Sequence, residues 1–304
     1  KRQKYHKERR KKMNKEKIIN CLKSNVKKFN RWRLLYGITE LNLENANLNN
    51  ANLDNANLDN ASLENANLDN ANLNYANLNN ANLNYANLYN ARLYNANLDK
   101  ANLNYASLYN ANLYNANLNY ASLYNANLYN ASLENANLDN ANLNNANLYN
   151  ANLDNASLDN ANLYNANLDK ASLYNANLYN ANLDKANLDN ARLENARLYY
   201  ARLENASLYN ANLDNASLEN AMLERITGKL ILSVNGIGSR TSTTIYNYTD
   251  DQIQCGCFFG SFQQWLKKIK KTYTRDNRHY QEYKRAACYL FWQARYMASM
   301  EAVW

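Results

Sequence analysis

Hydrophobic positions recur every five residues through the middle of this chain. Leucine occupies 43, 48, 53 and each fifth position to 223, 37 in phase, and an alanine stands two residues before each from Ala46 to Ala221. The positions between hold asparagine, aspartate, serine and tyrosine. A helix advances about 100° per residue, so a step of five would spiral the leucines around its whole surface. A flat strand alternates faces and would send successive leucines to opposite sides. Neither gives one dry core. The pattern works where the chain turns a corner in each pentad and winds about an axis with every leucine inward. Alanine suits the second inner position because two large side chains would overfill a narrow interior. No glycine or proline lies between Leu41 and Arg225, so the corners fall to asparagine, which tolerates turn conformations. A disordered Asn-rich tract would not hold 37 leucines in register.

The unit Ala51-Asn52-Leu53-Asp54-Asn55 resembles the pentapeptide-repeat family, over about 185 of the 304 residues. The resemblance implies a mainly β fold, a right-handed quadrilateral β-helix with four pentads, or 20 residues, per coil. At about 4.8 Å per coil, 37 pentads make about nine coils and a rod roughly 44 Å long. Residues 20 apart then stack, and the residue after each leucine is expected to face outward. One such column reads Tyr89, Tyr109, Tyr129, Tyr149; others place Tyr94 over Tyr114 and Tyr179 over Tyr199. A further column reads Asp59, Asn79, Asp99, Asn119, Asp139, Asp159. Stacked tyrosines stabilise neighbouring coils, and tyrosine is also enriched in binding surfaces. Tyr89, Tyr109, Tyr129 and Tyr149, with Asp59, Asp99, Asp139 and Asp159, are therefore the candidate partner-binding residues.

Charge divides the chain in three. Residues 1–40 net +12, residues 41–225 net −10, and residues 226–304 net +6, within a formal total of +8. Some family members protect DNA gyrase by presenting a DNA-like negative rod. Duplex DNA carries one charge per about 1.7 Å, so a comparable rod would need roughly 26 charges. Arg92, Lys100, Lys170, Lys185, Arg192, Arg197 and Arg202 also interrupt the field. A DNA-mimicking, topoisomerase-binding role is thus the alternative reading rather than the first.

The flanks differ from the rod. Residues 1–12 are a basic run, followed by apolar residues at Ile18, Leu22, Val26, Phe29, Trp32 and Tyr36. Their spacing of three or four predicts one amphipathic helix from Met13 to Tyr36 whose apolar stripe plugs the first coil. Nucleic acid would be engaged only through this basic segment, which lacks a recognised nucleic-acid motif. The repeat fails at Ile226-Thr227-Gly228. Strands are expected at Lys229–Val234, Thr241–Tyr248 and Ile253–Cys257. A capping box at Ser261–Gln264 opens a helix to about Tyr273, and a second helix spans about 278–300. The second helix ends with Tyr289, Phe291, Trp292 and Tyr296 among its apolar residues, candidates for homodimer or larger assembly. Gly236-Ile237-Gly238-Ser239-Arg240 reads as a hairpin turn rather than a phosphate loop, since no Gly-Lys-Ser/Thr follows. Cys255 and Cys257 have the wrong spacing for a zinc knuckle, even with Cys288 and His279 nearby in sequence, and no orienting third residue accompanies Cys257 and His279 as a nucleophile pair. Gly236–Arg240 and Cys255–Gly260 resemble a C-terminal module that follows pentapeptide repeats in phage and prophage proteins, which implies a phage or viral origin and assigns no activity.

The sequence thus predicts three regions: a basic tail and capping helix over 1–37, the β-helix over 38–225, and a small α+β module over 226–304. No stretch of 18 or more apolar residues occurs, so no membrane span is expected. No metal or cofactor is expected. Four cysteines suggest no disulfide framework, which fits a reducing cytoplasm or the interior of a virus or phage particle. The expected role is a non-enzymatic interaction or structural rod with a protein partner.

Overall fold

Each pentad of the repeat makes the same local shape. Leucine and alanine point into the core, and the last two residues form a turn. The final residue of every pentad from Asn45 to Arg225 lies in the left-handed region, with φ between 52° and 61°. Most L-residues avoid that region, but asparagine visits it because its short amide bonds locally. Asparagine accordingly fills 28 of these 37 corners. A second device sits at the second pentad position, where asparagine Oδ1 accepts the N–H two residues on, as Asn47 does from Asn49 at 3.1 Å.

The structure is a computed structural model that describes residues 13–229, 231–237, 242–255, 258–274 and 277–301. Parallel pairing joins each second pentad position to the one 20 residues on, from Asn42 with Ser62 to Ser207 with Thr227. Leu48 N–H donates to Asn67 O at 2.7 Å, and Asn67 N–H donates to Ala46 O at 2.9 Å. Four turns per 20 residues make a four-sided coil. Each side is so short that only β1 (Leu41–Asn42) and β2 (Ala61–Ser62) form strands among the described repeat residues; elsewhere the sides pair as single bridges. Asparagine amides also stack like on like, as Asn110 Nδ2 on Asn90 Oδ1 at 3.2 Å and Asn117 Nδ2 on Asn97 Oδ1 at 3.1 Å. Such ladders bind successive layers in register.

Two helices, not one, precede the rod: α1 (Lys15–Ser24) and α2 (Val26–Tyr36). The expected single helix breaks at Asn25, which is extended and caps both pieces. Its N–H donates to Cys21 O, and its Oδ1 accepts from Lys28 N–H at 2.8 Å. An asparagine that can cap competes well against helix continuation. Ile18, Leu22, Phe29 and Trp32 are buried in one continuous core with Leu41 and the repeat leucines.

The rod ends at Gly228 (φ +80°), where a Cβ would come within 2.3 Å of Tyr209 N. Glycine is required there by both backbone angle and close approach. The following antiparallel sheet has the order β3 (Ile231–Ile237), β4 (Ser242–Asn247), β5 (Gln252–Cys255), β6 (Phe258–Gly260). The short fourth strand was not expected from the sequence, where Phe258–Gly260 lacks alternation. Residues 238–240 of the expected hairpin turn and Thr241 of the expected second strand lie outside the described residues, as does Cys257; β3 and β4 pair antiparallel on either side. Helices α3 (Phe262–Thr272) and α4 (Arg278–Glu301) follow. The capping box forms: Gln264 N–H donates to Ser261 Oγ at 3.2 Å, and Ser261 N–H to Gln264 Oε1 at 2.9 Å. The sheet docks on the last coil through Ile245, which joins the rod core, and through Gln254 Oε1, which accepts Leu218 N–H at 3.1 Å. Among the described residues no helix is long and apolar enough to cross a membrane.

Candidate interaction surfaces

The leading end of the rod leaves carbonyls and amides with no preceding coil to pair. Arg33, 3% exposed, takes up the carbonyls. Its Nη1 donates to Asn57 O at 2.7 Å and its Nη2 to Asp59 O at 3.0 Å. Nη1 also stands 3.0 Å from Asp59 Oδ1. Burial lowers the guanidinium's proton affinity, and Asp59 partly restores it. The adjacent orphan amide, Asn57 N–H, donates to Asn30 Oδ1 at 2.8 Å. Asp59, expected on the partner-facing column, is thus engaged by α2.

The remaining aspartates of that column lie in line at 20-residue spacing, half-buried rather than outward. The residue after each leucine opens the turn, so its side chain lies against the next coil; the corner residue that follows is generally the more exposed. Asp99 Oδ2 accepts from Asn79 Nδ2 at 3.3 Å, and Asp139 Oδ1 accepts both Ser157 Oγ at 2.5 Å and Asp159 N–H at 3.0 Å. The Asp139 arrangement is a rule of the rod. Where the second pentad position is serine or arginine, it cannot cap the N–H two residues on. Where the residue one coil below that N–H is Asp or Asn, it accepts the N–H instead. Asp154 does so for Tyr174 at 3.1 Å, Asp184 for Glu204 at 2.9 Å, Asp189 for Tyr209 at 3.0 Å and Asn104 for Tyr124 at 3.0 Å.

The tyrosine columns stack as rings. Tyr89–Tyr109, Tyr109–Tyr129 and Tyr129–Tyr149 have centroids 5.2, 4.9 and 5.0 Å apart, with planes within 11°. Tyr94 stacks on Tyr114 at 5.5 Å. Tyr179 makes its ring contact with Tyr200, edge-on at 5.6 Å, rather than with the Tyr199 above it in the expected column. Lys170 ends the longest column, 5.0 Å from the Tyr149 ring, and the Tyr149 hydroxyl raises its pKa.

A second set of tyrosines occupies corners. Tyr75, Tyr85, Tyr105 and Tyr120 replace asparagine at left-handed positions and are 52, 53, 44 and 56% exposed. Tyr85 stacks on Tyr105 at 4.8 Å, while Tyr75 meets Tyr94 and Tyr105 meets Tyr124 edge-on. Tyr75 thus joins the Tyr94–Tyr114 pair, and Tyr85 and Tyr105 join Tyr124; with the Tyr89–Tyr149 column, these clusters make an aromatic belt on adjoining faces. Ten tyrosines fall between residues 71 and 130, a stretch whose only charged residues are Arg92, Asp99 and Lys100. Sequence reading missed the corner set, although tyrosine in place of asparagine at the fifth pentad position was its signal.

A family model for pentapeptide repeats matches eight copies, in segments from residues 39–74 to 186–225 that together span 39–225. The chain is a pentapeptide-repeat protein. Members of this family form right-handed quadrilateral β-helices. Among solved structures, this pentapeptide-repeat protein is similar to HetL from the cyanobacterium Nostoc sp. Strain PCC 7120, involved in heterocyst differentiation regulation. The two are 34% identical over 66% of this chain and 96% of HetL, with a TM-score of 0.33. Rfr23 from the cyanobacterium Cyanothece 51142 is 41% identical over 31% of this chain and 62% of its own, TM-score 0.23. QnrB1, a plasmid-mediated fluoroquinolone resistance protein, is 16% identical over 62% of this chain and 90% of its own, TM-score 0.38. No curated protein matches the chain.

In the C-terminal region, Tyr289, Phe291 and Trp292 are exposed on α4, while Tyr283, Ala287 and Leu290 of the same helix are buried. The Tyr296 side chain lies outside the described residues. Cys255 is buried with Thr244 Oγ1 2.9 Å from its sulfur, and His279 Nδ1 lies 3.1 Å from Glu282 Oε2.

Proposed function

We propose that this pentapeptide-repeat protein is a non-enzymatic rod that presents a rigid tyrosine belt to a protein partner. The observation that carries the reading is the placement of Tyr75, Tyr85, Tyr105 and Tyr120 at left-handed corners. A left-handed backbone is unfavourable for an ordinary L-residue, by about 1–2 kcal/mol, and asparagine solves the same corner elsewhere in the rod. Strain kept where a better residue is available supports a selected role outside folding. Charge depletion with tyrosine enrichment is the composition of an interface core. A preordered surface also loses little entropy on binding. Resemblance of the C-terminal module to those of phage and prophage proteins supports a phage- or virus-associated setting. The coils number about nine by the 20-residue register, with α1 and α2 as the leading cap.

The test is Tyr85→Asn, Tyr105→Asn and Tyr120→Asn combined. The triple variant is expected to keep or raise the melting temperature while losing a partner that the unaltered protein captures from its native host. Equal capture by both proteins would remove the belt from the interface.

A further inference from the structure

Between α3 and α4 runs an apolar cleft of about 340 Å³. Leu266 and Ile269 line it from α3, and Ala287, Phe291 and Trp292 from α4. Trp292 is 68% exposed and Phe291 38%, so the far wall is open to water. Lys270 and Lys284 stand at its edges, one on each helix, and both are exposed. From 262 to 295 the chain carries nine lysines and arginines against two acids.

We infer that this cleft receives an acidic amphipathic helix from a partner protein. A helix laid into a groove offers apolar side chains at i, i+3, i+4 and i+7 to the floor. Acidic residues flanking that stripe would meet Lys270 and Lys284. Helix α3 has 11 residues, about 16 Å at 1.5 Å per residue, which accommodates about three turns of a docked helix. A small ligand usually has most of its surface enclosed, and this trough leaves its walls open. A second copy docked face to face would set Lys270 and Lys284 against their own counterparts, so self-association through this face opposes its own charge. A lipid surface favours a protruding apolar face, whereas this one is concave. The inference is independent of the tyrosine belt, which lies on the rod.

The experiment uses the full chain and a synthetic 18-residue helical peptide with leucine at the four stripe positions and glutamate beside them. Trp292 reports docking through a blue shift of its emission, absent in Trp292→Phe. Micromolar binding is expected, weakened at least tenfold by Lys270→Glu with Lys284→Glu and by raised salt. The milder pair Lys270→Gln and Lys284→Gln serves if charge reversal disturbs folding. A peptide with lysine for each glutamate is expected not to bind. Failure of the acidic peptide, or equal binding of both peptides, overturns the inference. So does a Trp292 shift produced instead by protein concentration, which marks a second copy, or by anionic vesicles in place of the peptide.

Discussion

Arg33→Met removes the donors that close the leading end of the rod while keeping the side chain's bulk. Asn57 O and Asp59 O of the first coil lose their donor, as do Ile38 O and Thr39 O of the chain entering it. Each unsatisfied buried carbonyl costs about 1–3 kcal/mol. Asp59 also loses its ion pair, but its side chain is 32% exposed, so water offsets much of that loss. A local cost of about 3 kcal/mol follows from the carbonyls alone. Since 1.36 kcal/mol is tenfold, the first coil should open about 10²-fold more often. Repeat proteins couple mainly to nearest neighbours, so the loss should stay local. Hydrogen exchange followed by mass spectrometry is the assay. Amides from Ile38 to Asp59 should lose about two orders of magnitude of protection, and those of residues 100–200 should keep theirs. Arg33→Lys restores one cation without the fork and should recover only part of the effect. Unchanged protection in the first coil, or uniform loss along the rod, would refute the capping argument.

Three further outcomes can be checked. Asp154→Ala should cost about 1–3 kcal/mol by orphaning Tyr174 N–H; adding Ser172→Asn should recover much of it, because asparagine there caps Tyr174 directly, and thermal melts showing no rescue would sink the coil-to-coil rule. Leu113→Ala leaves a void between coils that cannot close without shifting both neighbours, so urea denaturation should show a loss of about 3–5 kcal/mol. Burial and the Asp251 carboxylate hold the Tyr246 hydroxyl well above its ordinary pKa of 10.0; the neutral form is favoured in the fold, so its stabilisation is complete below pH 10 and falls as pH rises beyond it. Tyr246→Phe should flatten that alkaline loss in the C-terminal region, followed by the near-ultraviolet circular dichroism of its packed aromatics, at a cost near neutral pH of about 1 kcal/mol for the lost bond to Asp251.

The rod was legible because its periodicity records one repeated event, the burial of Leu and Ala beside a left-handed corner. The capping box at Ser261 was legible for the same reason: a local motif with its partners three residues apart. What the sequence hid depends on contacts made across space. Arg33 reads as one more cation on a basic helix until Asn57 and Asp59 stand beside it. The break at Asn25 was obscured because Ile18, Leu22, Phe29 and Trp32 hold helical spacing across it. The outward aspartate column was misjudged because side-chain direction at the turn's first residue follows from the corner geometry, which a period alone leaves open. β6 escaped because three residues pairing only with β5 carry no pattern of their own.

Many of the rod's 18 carboxylates have jobs inside it. Asp139, Asp154, Asp184 and Asp189 accept coil-to-coil amides. Glu44 accepts Ser62 Oγ, and Asp59 pairs with Arg33. Each of the four amide-accepting aspartates stands one coil below the turn of a pentad whose asparagine is replaced by serine or arginine, so its place answers the backbone. Duplex DNA repeats its charge at about 1.7 Å without a gap, while this rod leaves residues 71–130 with a single acid. Four of these carboxylates have an oxygen committed to a backbone amide. The rod's negative charge therefore follows in part from its hydrogen-bonding grammar. On the proposed reading, the corner tyrosines are departures from that grammar kept for binding rather than for folding.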